Sequence, residues 1–228
     1  MMKQVHSVAI DGPAGAGKST IARRAATELG YIYMDTGAIY RTVAYGVIRD
    51  GVDPHDSVAV AEYLTTVTIR PTWDESGLQH MILNGEDVTA YIRSAEVSQN
   101  ASVVAAIAQV RSLLLDTQRS VAREYSVIMD GRDIGTVVLP NADVKIFLTA
   151  SAEVRARRRW LELQQKGALD TYEQVLHEMI QRDLRDSQRD TCPLRQADDA
   201  VLLDTSHIDL EESIRRVVAL VREAVSHG

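Results

Sequence analysis

The chain has 228 residues, which suits one large α/β domain with an insertion, and its net charge of −7 argues against a general nucleic-acid binder. Aromatic residues make up only 5%, which argues against a stacking surface for single-stranded nucleic acid, and the single cysteine, Cys192, excludes an internal disulfide framework. Because no signal peptide is recognisable and no apolar run reaches membrane-spanning length, we expect a cytoplasmic protein without a membrane partner.

The first predicted elements are a strand, a glycine-rich turn and a helix over residues 5–29. Gly12, Gly17, Lys18 and Ser19 match the pattern G-x-x-x-x-G-K-[ST] without a mismatch. Glycines let the backbone turn tightly and aim its N–H groups at an anion, and the helix adds the positive end of its dipole. Lys18 can reach the β- and γ-phosphates, and the Ser19 hydroxyl can ligate Mg²⁺. The pattern therefore predicts a site for a nucleoside triphosphate formed by Gly12, Pro13, Ala14, Gly15, Ala16, Gly17, Lys18, Ser19 and Thr20.

Residues 31–35 are predicted to form a second strand that ends in an acidic residue, and residues 37–50 a helix that stops at Gly51. The sequence between them, DTGAIYR, follows the carboxyl end of the strand, which is where open α/β sheets place their ligands. The planar guanidinium of Arg41 could clamp a phosphate there. A solvent-facing helix position for Arg41 is equally compatible with the spacing.

Pro54 begins a segment of different character. A short capped helix is predicted at residues 57–66. Strands at 68–70 and 79–83 flank a turn at 72–77, and a second turn follows at 84–85. This β-rich segment interrupts the alternation of strands and helices, so we interpret it as an inserted substructure.

Residues 94–123 have the apolar spacing of helices. Within them, the spacing alone favours ordinary helix-surface positions for Ser102 and Arg111.

The next strand is predicted over residues 126–130, and it ends in Asp130. An acid at the end of an apolar strand is compatible with a position facing Mg²⁺, although the signal is weak. Arg132 and Asp133 follow as adjacent opposite charges in a glycine-bounded loop. A plain turn does not need both charges, which favours a functional role. Residues 144–148 have the composition of another buried strand.

Arginines are concentrated in the two helices and the loop that follow. They are Arg155, Arg157, Arg158 and Arg159 in the first helix, then Arg182, Arg185, Arg189 and Arg195. Residues 164–170 are expected to separate the helices, and Thr171 with Gln174 forms a capping pair for the second. Such a run is usually a solvated face, but two arginine-bearing helices joined by a glycine-containing loop could also form a mobile basic lid over phosphates.

One helical face of the second helix is predicted to carry Arg182, Asp186 and Arg189, which could be only an intrahelical ion-pair ladder. The last strand is expected over residues 200–205. A closing helix follows, capped by Asp209 with Glu212 and running to about Val225.

Three blocks together resemble the bacterial cytidylate kinase family of P-loop nucleoside monophosphate kinases: IDGPAGAGKST, DTGAIYR and DGRDIGTVVLPNADVKIFLTAS. The later RDLRDSQR…PL and ADDAVLLDT also fit, so the resemblance runs from Ile10 to about Thr205. The first block is generic to P-loop proteins, and the others are specific to this family. The resemblance implies an α/β fold with a parallel sheet flanked by helices. It also implies a kinase core at residues 1–51 and 94–228, a β-containing NMP-binding insert at 52–93 and an Arg-rich lid at about 155–170.

The resemblance further implies the reaction: transfer of the γ-phosphoryl group of ATP to CMP or dCMP, with Mg²⁺, by what is expected to be a monomer. Catalytic charges would come from Lys18, Arg132, Arg158 and Arg189, with Arg158 as the lid arginine facing the triphosphate. The substrate-binding positions are Thr36, Arg41, Ser102, Arg111, Arg132, Asp133, Arg182, Asp186 and Arg189. Of these, Ser102, Arg111 and Asp133 match positions that read the cytosine ring, Arg41, Arg132 and Arg189 match phosphate-contacting positions, and Arg182 and Asp186 match positions near the sugar.

Three other classes of protein remain as alternatives. The nearest are other small P-loop kinases, for adenylate, thymidylate or shikimate. A regulatory GTPase needs D-x-x-G after a strand and an N-K-x-D base reader, but the D-x-x-G at residues 74–77 lies in a predicted hairpin turn and N-K-x-D does not occur. A non-catalytic nucleotide sensor would bind ATP without producing ADP.

Overall fold

The computed structural model describes residues 5–226 of the chain. These residues form two compact units. The first is built on Tyr31–Val127, and the second combines His6–Gly30 with the chain from Ile128 onward. The predicted kinase core, insert and lid are functional regions, whereas these two units are defined by packing. The functional division therefore remains a prediction.

Strands and helices alternate along most of the chain. In order they are β1 (Ser7–Asp11), α1 (Lys18–Leu29), β2 (Ile32–Asp35), α2 (Thr36–Arg49), α3 (Ser57–Thr66), β3 (Ile69–Trp73), β4 (Gln79–Leu83), β5 (Glu86–Asp87), α4 (Ala95–Val104), α5 (Ala108–Glu124), β6 (Val127–Gly131), a π-helical turn (Ile134–Val138), β7 (Val144–Thr149), α6 (Ala152–Gln165), α7 (Tyr172–Gln188), β8 (Val201–Asp204) and α8 (Leu210–Ser226).

The main sheet has five strands in the order β2-β6-β1-β7-β8. Strand β1 pairs in parallel with β7, and β7 pairs in parallel with β8. Val8, Ala9 and Ile10 of β1 are fully buried, as expected for a central strand of a parallel sheet with both faces covered. Helices α1 and α8 pack together, and α8 buries an aliphatic stripe that includes Ile214 and Val218. The predicted α/β fold with a parallel sheet flanked by helices is confirmed.

The first unit contains the predicted β-rich segment as a three-stranded antiparallel sheet, β3-β4-β5. The predicted start of its turn at Thr72 is wrong, because β3 continues to Trp73. Trp73 pairs with Gln79 on β4, and its indole N–H donates to the Tyr33 carbonyl at 2.8 Å. These two contacts keep the strand extended beyond the predicted position.

Several helix ends follow local rules that the sequence displays. The Asp35 carboxylate caps α2 by accepting the Ala38 N–H at 3.0 Å. Thr171 and Gln174 form the predicted capping box at the start of α7. The helical stretch expected over residues 94–123 is divided into α4 and α5, because Ile107 takes an extended conformation before α5. Among the helices of residues 5–226, none has both the length and the apolar character required to cross a bilayer.

Candidate active site

The turn between β1 and α1, residues 12–17, has the geometry of a phosphate-binding loop. Gly12 has a φ of 148°, and a Cβ at this position would lie 1.9 Å from the carbonyl oxygen of Leu148 on β7. Gly15 has a φ of 73°, in the left-handed region that favours glycine. The loop ends at Gly17, which immediately precedes the first turn of α1. The backbone N–H groups of the loop and of this helix start can therefore converge on an anion.

Lys18 is buried at the first position of α1 and folds back over the loop. Its Nζ donates to the carbonyl oxygens of Gly12 at 2.7 Å and Pro13 at 2.8 Å. Burial, together with the nearby Arg132 guanidinium, lowers the pKa of the Lys18 ammonium group. A bound phosphate would bring the negative charge that favours the protonated form. Lys18 thus lies beside the loop, where its ammonium group could bind a polyphosphate.

Ser19 and Asp130 are 111 residues apart in the sequence but are joined in the structure. The Ser19 hydroxyl donates to the Asp130 carboxylate at 2.9 Å, and Asp130 is buried on β6. A hydroxyl and a carboxylate are hard oxygen donors, and Mg²⁺ in nucleotide sites takes one or two such protein ligands beside phosphate and water oxygens. The residues present therefore fit a Mg²⁺ ion. Asp130, which is only weakly indicated by the sequence, lies beside the Ser19 hydroxyl.

Asp11, the last residue of β1, was not predicted as a site residue, yet it holds the next loop in position. Its carboxylate accepts the backbone N–H groups of Ile134 at 2.8 Å and Gly135 at 2.7 Å. Burial raises the pKa of this carboxyl group to about 6, although the two hydrogen bonds oppose the shift. Ile134 directly follows Asp133, so Asp11 orients the loop that carries Arg132 and Asp133.

Both charges of that loop have partners in the second unit. The Nε of Arg132 donates to the Asp186 carboxylate at 2.7 Å, and the Arg189 guanidinium lies 3.6 Å from the Asp133 carboxylate. Although burial opposes the change, the Arg132 guanidinium lowers the pKa of Asp186. A ladder confined to the helix does not describe Asp186, because Asp186 pairs with Arg132 of another loop and α7 ends before Arg189, although Arg182 and Arg189 also help to lower the pKa of Asp186.

The predicted basic site is thus assembled around the phosphate loop. The pKa of the Lys18 ammonium group is influenced by the charges of four neighbours: Arg132, Asp130, Asp11 and Arg182. Since these residues come from β1, α1, the end of β6 and α7, the fold brings the loop and the substrate-site candidates of this unit into one electrostatic environment.

The arginines of α6 have separate roles rather than one shared face. Arg158 donates to the carbonyl oxygen of Thr205 at 2.7 Å and to its hydroxyl at 3.2 Å. Arg159 is exposed and pairs with Glu162 at 3.1 Å. Arg155 is buried and contacts the phosphate loop at Ala14. The sequence spacing could not separate these three environments.

In the first unit, Arg41 is oriented by a buried carboxylate. Asp35 accepts from Arg41 at 2.5 Å and from Arg93 at 3.2 Å. Burial raises the pKa of Asp35, but the two guanidinium groups outweigh it and lower that pKa overall. The Gln79 side chain accepts the backbone N–H of Asp35 at 2.7 Å and fixes this position. Arg93 was not predicted, because it belongs to no motif in the sequence.

The other candidates in this unit lie on α2, α4 and α5. Arg111 is buried, donates to the Ala105 carbonyl at 3.1 Å and lies 5.4 Å from the centroid of the Tyr40 ring. An ordinary helix-surface position is therefore wrong for Arg111. Ser102 is half-buried on α4, and Thr36 is buried at the start of α2. Helices α2 and α4, which carry Thr36 and Ser102, pack against each other, and Arg111 on α5 reaches α2 through the Tyr40 ring.

A family model described as cytidylate kinase matches residues 8–223. The chain belongs to the cytidylate kinase family. A protein named cytidylate kinase from Exiguobacterium sp. is 48% identical, over 97% of this chain and 99% of its own length. Another of that name, from Caldicellulosiruptor bescii, is 48% identical over 99% of each chain. The solved shikimate kinase of Bacteroides thetaiotaomicron, at 15% identity, covers 95% of this chain and 98% of its own with a TM-score of 0.46, too distant a likeness to carry an argument.

This membership confirms the resemblance carried by the three sequence blocks. The matched residues of this cytidylate kinase family member extend from β1 to α8 and include the phosphate loop, Asp130 and the Arg132–Asp133 loop. The family therefore covers both units and every candidate site residue named above. The roles of the individual residues remain predictions.

Proposed function

We propose that the chain is a cytidylate kinase that transfers the γ-phosphoryl group of ATP to CMP or dCMP, giving ADP and CDP or dCDP. The observation that carries the proposal is the assembly in the second unit. There a phosphate loop with Lys18 lies beside the Ser19–Asp130 pair and the charged loop of Arg132 and Asp133. The names of the relatives, at 48% identity, support the choice of CMP as acceptor.

On the ATP side, the loop from Gly12 to Thr20 would hold the triphosphate through its N–H groups and the Lys18 ammonium. Ser19 and Asp130 would hold Mg²⁺, which supplies charge neutralisation between the β- and γ-phosphates. Phosphate would compete with the Gly12 and Pro13 carbonyls for the Lys18 ammonium, and its negative charge favours the protonated lysine.

On the CMP side, the proposed base readers differ in charge. Cytosine offers a donor at N4 and acceptors at N3 and O2. The Asp133 carboxylate would accept from N4, the Arg111 guanidinium would donate to N3 and O2, and the Ser102 hydroxyl would contact the ring. Uracil has an acceptor in place of N4, so two acceptors would oppose each other at a cost of about 1–3 kcal/mol. This difference would select CMP over UMP.

Phosphate and sugar would be held mainly by arginines. Arg41, Arg132 and Arg189 would contact the acceptor phosphate, with Thr36 nearby. Asp186 would accept from the ribose hydroxyls, supported by Arg182. The Asp186 carboxylate is already oriented by Arg132, which reduces the side-chain freedom lost on binding.

The chemistry needs no general base, because the attacking oxygen belongs to a phosphate that is already anionic. The protein's task is to align two polyanions and to neutralise charge while the phosphoryl group passes between them. Lys18, Arg132, Arg158 and Arg189 would supply that charge. Arg158 would have to exchange its contact with Thr205 for the triphosphate, which is the movement expected of a lid at about residues 155–170. Closure of this lid would exclude water and limit wasteful ATP hydrolysis.

The proposal includes the setting of the enzyme. It would act in the cytoplasm as a monomer, with residues 1–51 and 94–228 as the kinase core and residues 52–93 as the NMP-binding insert. Its partners would be small nucleotides only.

Initial rates with MgATP and each of CMP, dCMP, UMP and AMP test the proposal, with ADP release as the common readout. We expect the specificity constants for CMP and dCMP to exceed that for UMP by about 10-fold or more, from the cost of opposed acceptors. Preference for AMP or UMP would replace the proposed acceptor, and ATP binding without ADP release from any mixture would indicate a sensor.

A further inference from the structure

Arg155 on α6 is 5% exposed although it carries a full charge. Each of its nitrogen atoms has an acceptor within the second unit. The Nε donates to the Ala150 carbonyl at 2.8 Å, one Nη donates to the Ala14 carbonyl at 2.9 Å, and the other lies 2.7 Å from the Asp183 carboxylate. These contacts tie helices α6 and α7 to the backbone of the phosphate loop.

The contact with Ala14 fixes the orientation of one peptide group. The carbonyl of Ala14 and the N–H of Gly15 belong to the same planar trans peptide, so they point in opposite directions. Because the carbonyl points at Arg155, the Gly15 N–H points away from α6. This peptide is otherwise easy to rotate, since Gly15 has no Cβ and already has a φ of 73°.

Helix α7 confines the same peptide from a second side. A Cβ on Gly15 would lie 2.9 Å from the terminal methyl of Met179 on α7, and 3.4 Å from the Cβ of Arg155. Asp183, one turn further along α7, neutralises the buried guanidinium. The loop at Gly15 is therefore enclosed by helices α6 and α7.

We propose that Arg155 is a positioning residue for the triphosphate, which holds the Ala14–Gly15 peptide so that the Gly15 N–H faces the phosphates. This inference rests on the ATP site of the proposed function and deepens it. Arg155 acts through the loop backbone and does not itself touch the nucleotide. Without it the peptide can rotate, and a carbonyl oxygen would then face the phosphate in place of a donor.

The test compares two ligands that share phosphates but differ in the nucleoside: MgATP and inorganic tripolyphosphate with Mg²⁺. Their dissociation constants are measured by calorimetry for the full chain, Arg155→Met and Arg155→Lys, with Arg157→Met as the matched control on the exposed face of α6. We expect Arg155→Met to weaken both ligands equally, by about 10-fold or more, which corresponds to the loss of one charge-assisted hydrogen bond. Arg155→Lys should be intermediate because one ammonium can reach Ala14 but cannot span all three acceptors. Arg157→Met should bind as the full chain does, and the affinity for CMP should not change in any variant.

Weaker ATP binding with unchanged tripolyphosphate binding would show that Arg155 contacts the nucleoside and would overturn the inference. An equal loss of CMP affinity would reduce Arg155 to a general structural role and would overturn it as well. If Arg155→Met does not fold, Asp183→Asn takes its place, since this variant removes the negative charge that holds the Arg155 guanidinium. Unchanged tripolyphosphate affinity in both Asp183→Asn and Arg155→Lys would refute the inference. The proposed function and this inference can fail separately. If the chain does not phosphorylate CMP but its tripolyphosphate affinity still depends on Arg155, the proposed function is refuted and this inference is not.

Discussion

The carboxyl group of Asp11 gives the account a prediction that depends on no substrate. Burial raises its pKa from 3.8 to about 6, because the two N–H donors of Ile134 and Gly135 only partly replace lost solvation. The folded protein therefore holds a proton on Asp11 over a pH range in which the unfolded chain does not. The contribution of Asp11 to the free energy of unfolding is largest below pH 4 and falls as the pH rises towards 6.

The size of the effect follows from the shift. About two pKa units at 1.36 kcal/mol each correspond to about 3 kcal/mol in total, of which about 2 kcal/mol lies between pH 4.5 and pH 7.5. Asp11→Asn keeps the shape of the side chain and removes the titration. The free energy of unfolding of the unchanged protein minus that of Asp11→Asn should therefore fall by about 2 kcal/mol over this range.

Urea unfolding at four pH values between 4.5 and 7.5 measures this difference, and titrations shared by both proteins cancel. Asp204→Asn is the control. Hydrogen bonds from Ser206 lower the pKa of that exposed carboxyl group, so its titration lies below the range and its difference should stay constant. If the difference in unfolding free energy between the unchanged protein and Asp11→Asn is independent of pH, or rises with pH, then burial does not raise the pKa of Asp11 to about 6.

Three further predictions concern catalysis. Lys18→Ala should lower turnover by about 100-fold or more, far more than it lowers stability, because its main proposed role is to neutralise phosphate charge; unchanged turnover would exclude the role. Asp133→Ala should lower the ratio of the specificity constants for CMP and UMP by about 10-fold, and an unmoved ratio would exclude base reading by this carboxylate. Ser19→Ala should raise the Mg²⁺ concentration required for half-maximal activity, because the hydroxyl beside Asp130 is lost; an unchanged Mg²⁺ dependence would exclude Ser19 as a ligand.

The features that could be predicted from the sequence are those set by short-range rules. The phosphate loop has its glycines where the backbone needs left-handed or crowded positions, and the hairpin at Asn84-Gly85 has φ values of 52° and 86°. The capping box of Thr171 is likewise local. Family membership and the parallel sheet followed from whole blocks of such signals, and both are confirmed.

The contacts that assemble the site could not be predicted, because they join distant parts of the chain. Asp11 meets Ile134 across 123 residues, and nothing in the sequence around Asp11 distinguishes a loop anchor from the end of a strand. Burial also defeated spacing. Arg155 and Arg159 have the positions of one helical face, but one is enclosed against Ala14 and the other is exposed beside Glu162.

The most direct test of the central claim is to follow the phosphorus atoms themselves. ³¹P NMR of the full chain with ATP, Mg²⁺ and CMP should show ADP and CDP appearing together in equal amounts, with little free phosphate. ADP that accumulates with inorganic phosphate and without CDP would show hydrolysis in place of transfer, and would contradict the account.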